Sequence, residues 1–382
     1  MIKMKNDCKK YYLICLFMLL AIACKQSYEP AAITTEHSYL VMDGFINSNR
    51  DSVTTITLSR TRNLTDSTIA SDPELNAAVT IQGEGGDSYI LRSRGNGFYS
   101  ATSMNINPAS KYRLRIVTSS NVEYLSAYVP VQQSPAIDSV YWEQNGDVNI
   151  YANTHDPQHK TRYYRWDYLE TWEHHAYYET IYGLKDNLIF LVDSTNQTYK
   201  CWSTEPSHDI VVGTSIQLSQ DVISKATVGT IPQGSVKLSV RYSMLLKQYA
   251  LTEQAFNYWQ ILQKNTQELG TLFDPQPSQL RGNMLCITKP NEPVIGFVSV
   301  GTVSSKRIFI GNRDVTDWKL PIGAECKLGA WYQSPIDWRL WTYPDPEWAP
   351  YYFASGGGIV IAQKRCLDCQ LAGGVNQKPS FW

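Results

Sequence analysis

The stretch Val53-Thr54-Thr55-Ile56-Thr57-Leu58 alternates residue by residue, which puts Ile56 and Leu58 on one face of an extended chain and suits a half-buried strand. The pattern recurs on both sides. Ala77-Ala78-Val79-Thr80-Ile81 runs into the turn Gly83-Glu84-Gly85-Gly86, Tyr89-Ile90-Leu91 into Gly95-Asn96-Gly97, and Tyr112-Arg113-Leu114-Arg115-Ile116-Val117 alternates again before Tyr124 to Val129. Short strands at this spacing with Gly and Asn turns predict a β-sandwich of immunoglobulin-like size over residues 37–132, with nothing helical in it. Pro130 to Pro135 (PVQQSP) reads as the boundary to a larger β-rich domain, 135–382.

In that second part, strands are expected over Tyr163 to Trp172, Val236 to Leu246, Val294 to Val300 and Arg307 to Ile310. One segment departs from the pattern. Thr252 can cap a helix near 252–269 whose residues Ala255, Phe256, Trp259, Leu262, Thr266 and Leu269 share a face, with Gly270 as its stop. Such a face packs on a sheet. The fold class is therefore mainly β, with one amphipathic helix.

The chain of 382 residues is 43% hydrophobic, 18% charged and 12% aromatic, with a net charge of −1. This composition is that of a folded protein and gives no basic face for nucleic acid. At its start, Lys3, Lys5, Lys9 and Lys10 precede an apolar run from Tyr11 to Ala23 that is short for a membrane span. It ends at Ala21-Ile22-Ala23-Cys24, and polar residues follow at once. Residues 1–23 read as a lipoprotein signal peptide, Cys24 as the sulfur acylated with palmitate-type chains, and 24–36 as a tether.

Five cysteines remain beyond Cys24: Cys201, Cys286, Cys326, Cys366 and Cys369. The odd number leaves at least one thiol unpaired. The expected bonds join Cys201 to Cys286, and Cys326 to Cys366 or Cys369. Cys366-Leu-Asp-Cys369 follows a β-like run and precedes Gly373-Gly374, so no helix is expected there to support thiol-redox chemistry, and zinc would need further ligands.

No GxSxG elbow, HExxH helix, phosphate loop or dinucleotide fingerprint occurs. His155-Asp156-Pro157-Gln158-His159 reads as a solvated loop. On a strand, Glu173 and His175 would share one face and Glu170, Trp172 and His174 the other. No nucleophile, base and orienting group can be named together, so no catalytic residues, metal or cofactor are expected. The aromatics carry more information. Trp338, Trp341, Tyr343, Trp348, Tyr351 and Tyr352 crowd a Pro-rich segment without regular periodicity, and rings on loops stack on sugars or anchor protein interfaces. These six are the candidate contact surface.

Several motifs in order resemble a known family. Tyr163-Tyr164-Arg165-Trp166, Glu170-Thr171-Trp172-Glu173, Cys201-Trp202 and Arg241-Tyr242-Ser243 form the first group. Leu272-Phe273-Asp274-Pro275-Gln276-Pro277-Ser278, Gly282-Asn283, Glu292-Pro293-Val294-Ile295-Gly296 and the end from Cys366 to Trp382 complete it. Together, over essentially the whole mature chain, they resemble the Bacteroidota lipoprotein family DUF 4249, which has no established activity. The resemblance implies a lipid-anchored outer-membrane protein, with the cell surface favoured over the periplasmic face although only Glu29 follows Cys24 closely as an acid. It also implies a neighbouring TonB-dependent β-barrel transporter. The phylum's O-glycosylation pattern marks Ser52, Ser67, Ser139 and Ser194. The expected function is that of a non-enzymatic accessory subunit of an envelope complex, and the alternative is a stand-alone glycan-binding protein using its exposed aromatics.

Overall fold

The computed structural model describes residues 38–62, 72–193, 195–218, 220–267, 280–320, 326–332, 339–355 and 357–382. The leader, Cys24, the tether, Ser67, Ser194, Trp338 and the end of the expected helix with Leu269 and Gly270 lie outside these residues.

The first part of the chain forms β1 (Leu40–Asn47), β2 (Val53–Arg60), β3 (Asp72–Pro73), β4 (Ala78–Gly83), β5 (Ser88–Gly95), β6 (Phe98–Thr102), β7 (Lys111–Val117), β8 (Glu123–Ser126) and β9 (Val129–Gln132). Alternation decides what each strand buries. Thr54, Ile56 and Leu58 of β2, Val79 and Ile81 of β4, and Tyr112, Leu114 and Ile116 of β7 all point inward. Gly97 turns β5 into β6 with φ +76°, and a Cβ there would lie 2.3 Å from the Leu58 carbonyl oxygen. Only glycine fits both the left-handed backbone and that approach.

The rest of the chain forms β10 (Ile137–Asn145), β11 (Asp147–His155), β12 (Tyr163–His175), β13 (Tyr182–Lys185), β14 (Leu188–Leu191), β15 (Lys200–Pro206), β16 (Val211–Thr214), β17 (Val222–Ile231), β18 (Arg241–Leu251) and helix α1 (Glu253–Gln267). Then come β19 (Met284–Cys286), β20 (Val300–Gly301), β21 (Val303–Gly311), β22 (Leu328–Tyr332), β23 (Trp348–Phe353), β24 (Gly358–Gln363) and the short helix α2 (Lys364–Leu367).

The first sheet is not the open two-layer arrangement expected. Its order β7-β4-β5-β6-β2-β1-β20-β9 returns to β7, which closes an eight-stranded barrel carrying extra strands. The closing strand comes from far along the chain. β20 lies parallel between β1 and β9, pairing Val300 with Ile46 and with Val131, while β19 extends the sheet beside β8. Closure removes the exposed strand edges that a sandwich would leave. The hydrophobic interior mixes both parts: Leu40, Ile56, Tyr99 and Leu114 pack in one cluster with Met284, Val298 and Val300.

Beyond Pro135, two sheets face each other. β10-β11-β17 forms one, and β15-β12-β18-β21 with β16 on β12 the other. Val148, Ile150 and Ile231 of the first pack with Trp166, Met244, Leu246 and Ile310 of the second. The buried Gln248 joins this core to the connecting segment: its Oε1 accepts from Trp166 Nε1 at 2.9 Å and its Nε2 donates to the Pro135 carbonyl at 2.9 Å. Residues Val236–Leu238 form a 3-10 turn capped by Ser235 and not the start of a strand. Most of the expected 294–300 strand is irregular.

Helix α1 starts as its sequence directs, with Thr252 Oγ1 accepting from the Ala255 amide at 3.2 Å. Ala255, Phe256 and Tyr258 are buried, whereas Thr266 faces out and donates to the Leu262 carbonyl. The inner face meets Phe45 of the barrel, and Tyr163 and Tyr249 of the second layer. No helix among the described residues is long and apolar enough to cross a membrane.

Candidate functional site

The C-terminal segment folds back on the second half of the chain. β22-β24-β23 make a three-stranded sheet beside the β13-β14 hairpin. Pro350 falls on edge strand β23 at a register shift, where a missing N–H costs the ladder nothing. Side chains on one face of the sheet, Trp331, Trp348, Phe353, Ile359 and Ile361, pack with Trp341, Tyr343 and Ile189. Trp341 is only 6% exposed. It is a packing residue, which corrects its expected place on a contact surface. Trp348, Tyr343 and Tyr351 are half-buried, and Tyr352 alone of the described candidates is exposed.

A different group of rings reaches solvent. Tyr177 touches Tyr178 at 4.8 Å between centroids, Tyr178 touches Tyr351 at 4.9 Å, and Tyr351 touches Tyr352 at 5.0 Å. Tyr177 is 71% exposed and Tyr332, on β22 across β24 from the run, 76% exposed. The sequence signal for the first two rings was Ala176-Tyr177-Tyr178 directly after the β12 pattern, overshadowed by the denser tryptophans downstream.

The disulfides are Cys201–Cys369 and Cys326–Cys366. The second is among the expected pairings. The first overturns the bond from Cys201 to Cys286, because Cys286 sits on β19 inside the barrel core as a buried free thiol. Cys366 and Cys369 do not bond each other. Cys366 lies in α2 and Cys369 opens a 3-10 turn, so helical structure does occur where none was expected.

The titratable groups on β12 divide by face. Glu173 Oε1 bonds His175 Nε2 at 2.8 Å on one side. On the other, the buried Glu170 accepts from Lys237 Nζ at 2.5 Å and from Tyr242 Oη at 3.1 Å, and Lys237 lies over the Trp172 ring. Burial first, and the Glu170 charge second, raise Tyr242 well above its ordinary value and Tyr168 to about 12. Both phenols therefore stay protonated, and the cluster has no nucleophile beside a free base.

His155 pairs with Asp138 at 2.8 Å while His159 turns to Asp221 at 3.4 Å, so their rings do not converge. Among the described residues no group of three or more His, Cys, Asp or Glu is placed to hold a metal ion. Ser52 donates to the Asn49 carbonyl in a tight turn, and Ser139 accepts from Asn153 Nδ2 in β10.

No curated protein matches the chain. The sequence profile of a family described as "Domain of unknown function (DUF4249)" matches residues 25–307. The match begins directly after Cys24 and stops within β21, so three of the four disulfide cysteines lie beyond it, and it covers less than the whole stretch from Cys24 to Trp382. On the strength of that match the chain belongs to the DUF4249 family.

Proposed function

We propose that this protein is a lipid-anchored outer-membrane lipoprotein of Bacteroidota type, acylated at Cys24. It works there without catalysis, as an accessory subunit bound to a TonB-dependent β-barrel transporter. The observation that carries this reading is the run of contacting rings Tyr177, Tyr178, Tyr351 and Tyr352, exposed at both ends. Tyrosine buries large area at low entropy cost and keeps a hydroxyl for polar partners, the profile of an interface anchor. The disulfide Cys326–Cys366 supports an envelope location, since such bonds persist where thiols are not kept reduced.

The contact moves from the tryptophans to the tyrosines. Replacing Trp341 would empty a packed site, whereas Tyr177→Ala with Tyr352→Ala removes exposed rings and leaves the core intact. Affinity capture of the tagged protein from its native membranes should bring a TonB-dependent barrel identified by mass spectrometry, with recovery reduced for the double tyrosine variant. Capture without a barrel protein, or equal recovery with the variant, refutes the reading. A Cys24→Ala protein that still fractionates with membranes refutes the anchor.

A further inference from the structure

We infer a binding site for an acidic saccharide around Trp202, on surfaces other than the tyrosine run and independent of the accessory role. Two recesses, of about 780 and 750 Å³, share Lys200, Trp202 and Lys378 in their walls. These volumes fall within the range of small-ligand sites.

The indole carries the argument. Trp202 is 7% exposed, and its Nε1–H is buried with no acceptor among the described residues. An unmet buried donor costs about 1–3 kcal/mol, and because the nitrogen itself is covered, a small tilt of the indole toward the recess is what would bring a ligand oxygen to it. The position of Trp202 is over-determined. Its backbone exchanges two hydrogen bonds with Val375, at 2.8 and 2.9 Å, and the adjacent Cys201 is tied to Cys369. Gln197 spends its amide on the turn, donating to the Lys200 and Asn376 carbonyls and accepting from the Tyr199 and Lys200 amides. Among the described residues the side chain of Gln377 makes no such bonds. It lines the first recess with the half-buried ring of Tyr199, an amide beside an aromatic face that suits a hydroxyl-bearing ring.

Charge narrows the ligand. Lys200 and Lys378 border both recesses, and Arg241 and Arg313 add to the second. Among the described residues no ion pair involves any of these four. The acids do not balance them in the second recess. Glu173 is engaged by His175 and by Trp382 Nε1, and Asp314 accepts from the Gly311 amide. Glu179 and Asp193 line the first recess, which is therefore nearer neutral. An oligosaccharide with neutral hydroxyls in the first recess and a carboxylate or sulfate in the second matches both.

The test is calorimetric titration of the full chain, purified in detergent, with tetragalacturonate, a sulfated carrageenan tetrasaccharide, neutral cellotetraose and inorganic sulfate. The expected result is binding of at least one acidic tetrasaccharide roughly tenfold tighter than cellotetraose, weakened about tenfold in Lys200→Ala/Lys378→Ala. Trp202→Phe removes the donor together with the five-membered half of the indole, so it should weaken binding several-fold while lowering the melting temperature only by the cost of the lost packing. The inference is overturned if no tetrasaccharide binds, if cellotetraose binds as well as the acidic sugars, or if sulfate alone binds as tightly. Affinity that ignores both the lysine and the Trp202→Phe changes overturns it too.

Discussion

Removing the Cys201–Cys369 bond tests the arrangement of the C-terminal segment most directly. The bond spans 168 residues and encloses Cys326–Cys366, which spans 40. Cross-linking restricts the unfolded chain by an amount that grows with the logarithm of loop length, so the outer bond contributes about 5 kcal/mol and the inner one about 4 kcal/mol. The inner bond shortens the outer loop, but through the logarithm this changes the outer figure by only about 0.2 kcal/mol. The other links between the segment and this part of the chain are non-covalent: the Cys369 amide donates to Thr198, Thr198 Oγ1 donates to Leu367, Val375 pairs with Trp202, the Gln197 and Asn376 side chains each donate to the other residue's carbonyl, and Trp382 Nε1 donates to Glu173. Cys201→Ser/Cys369→Ser, and separately Cys326→Ser/Cys366→Ser, would be unfolded in guanidinium and followed by tryptophan fluorescence. Both should lose several kcal/mol, the outer variant somewhat more, and the outer variant should become sensitive to trypsin at Lys364 and Arg365. An outer variant within about 1 kcal/mol of the parent would refute the reasoning. So would a peptide map that joins Cys201 to Cys286.

Gly374→Ala would place a Cβ 2.4 Å from His174 Nε2 and 2.7 Å from Cys201 Cβ, so it should cost about 1–3 kcal/mol in guanidinium unfolding and lift the segment off β15. Lys237→Met leaves Glu170 buried beside Tyr242 without its cation, and the same assay should show a loss of about 3–5 kcal/mol, partly restored when Glu170→Gln is added. His174 is held below its ordinary value by burial first and by His175 second. The unfolded chain then binds that proton more readily, so the stability His174 contributes is present above about pH 6.5 and is lost as the pH falls below it. Melting temperatures between pH 7 and pH 5 should therefore fall more steeply for the parent than for His174→Gln, whose amide can still bond Ser203.

Local patterns were legible where one face of a strand or helix meets a core. The alternation of β2 and β7 and the Thr252 cap are short-range consequences of burial and backbone bonding, and each appears in place. Barrel closure was not legible. β20 is two residues long, too short to show any period, and its partners lie some 170 and 250 residues away along the chain. The cysteine pairing failed for a related reason, since spacing says nothing about which of two bodies a strand joins. The aromatic segment misled because Pro350 suggested a loop. An edge strand tolerates proline at a bulge, and the register shift after Pro350 is what brings Phe353, five residues on from Trp348, to the same packed face.

The placement of the disulfides follows from where hydrophobic packing is thin. The barrel holds a core of more than twenty buried side chains and has no disulfide, only the free thiol of Cys286 inside it. The clusters around the two bonds are far smaller: Ala176 with Cys201 and Cys369, and Ala349 and Ala362 with Leu367. Clusters of that size cannot offset the entropy of ordering the strands and turns around them, so covalent links take over part of that task. The same region carries both the tyrosine run and the recesses around Trp202. A contact surface held by cross-links loses less freedom on binding, which favours recognition through a few well-placed rings and cations over a large buried area.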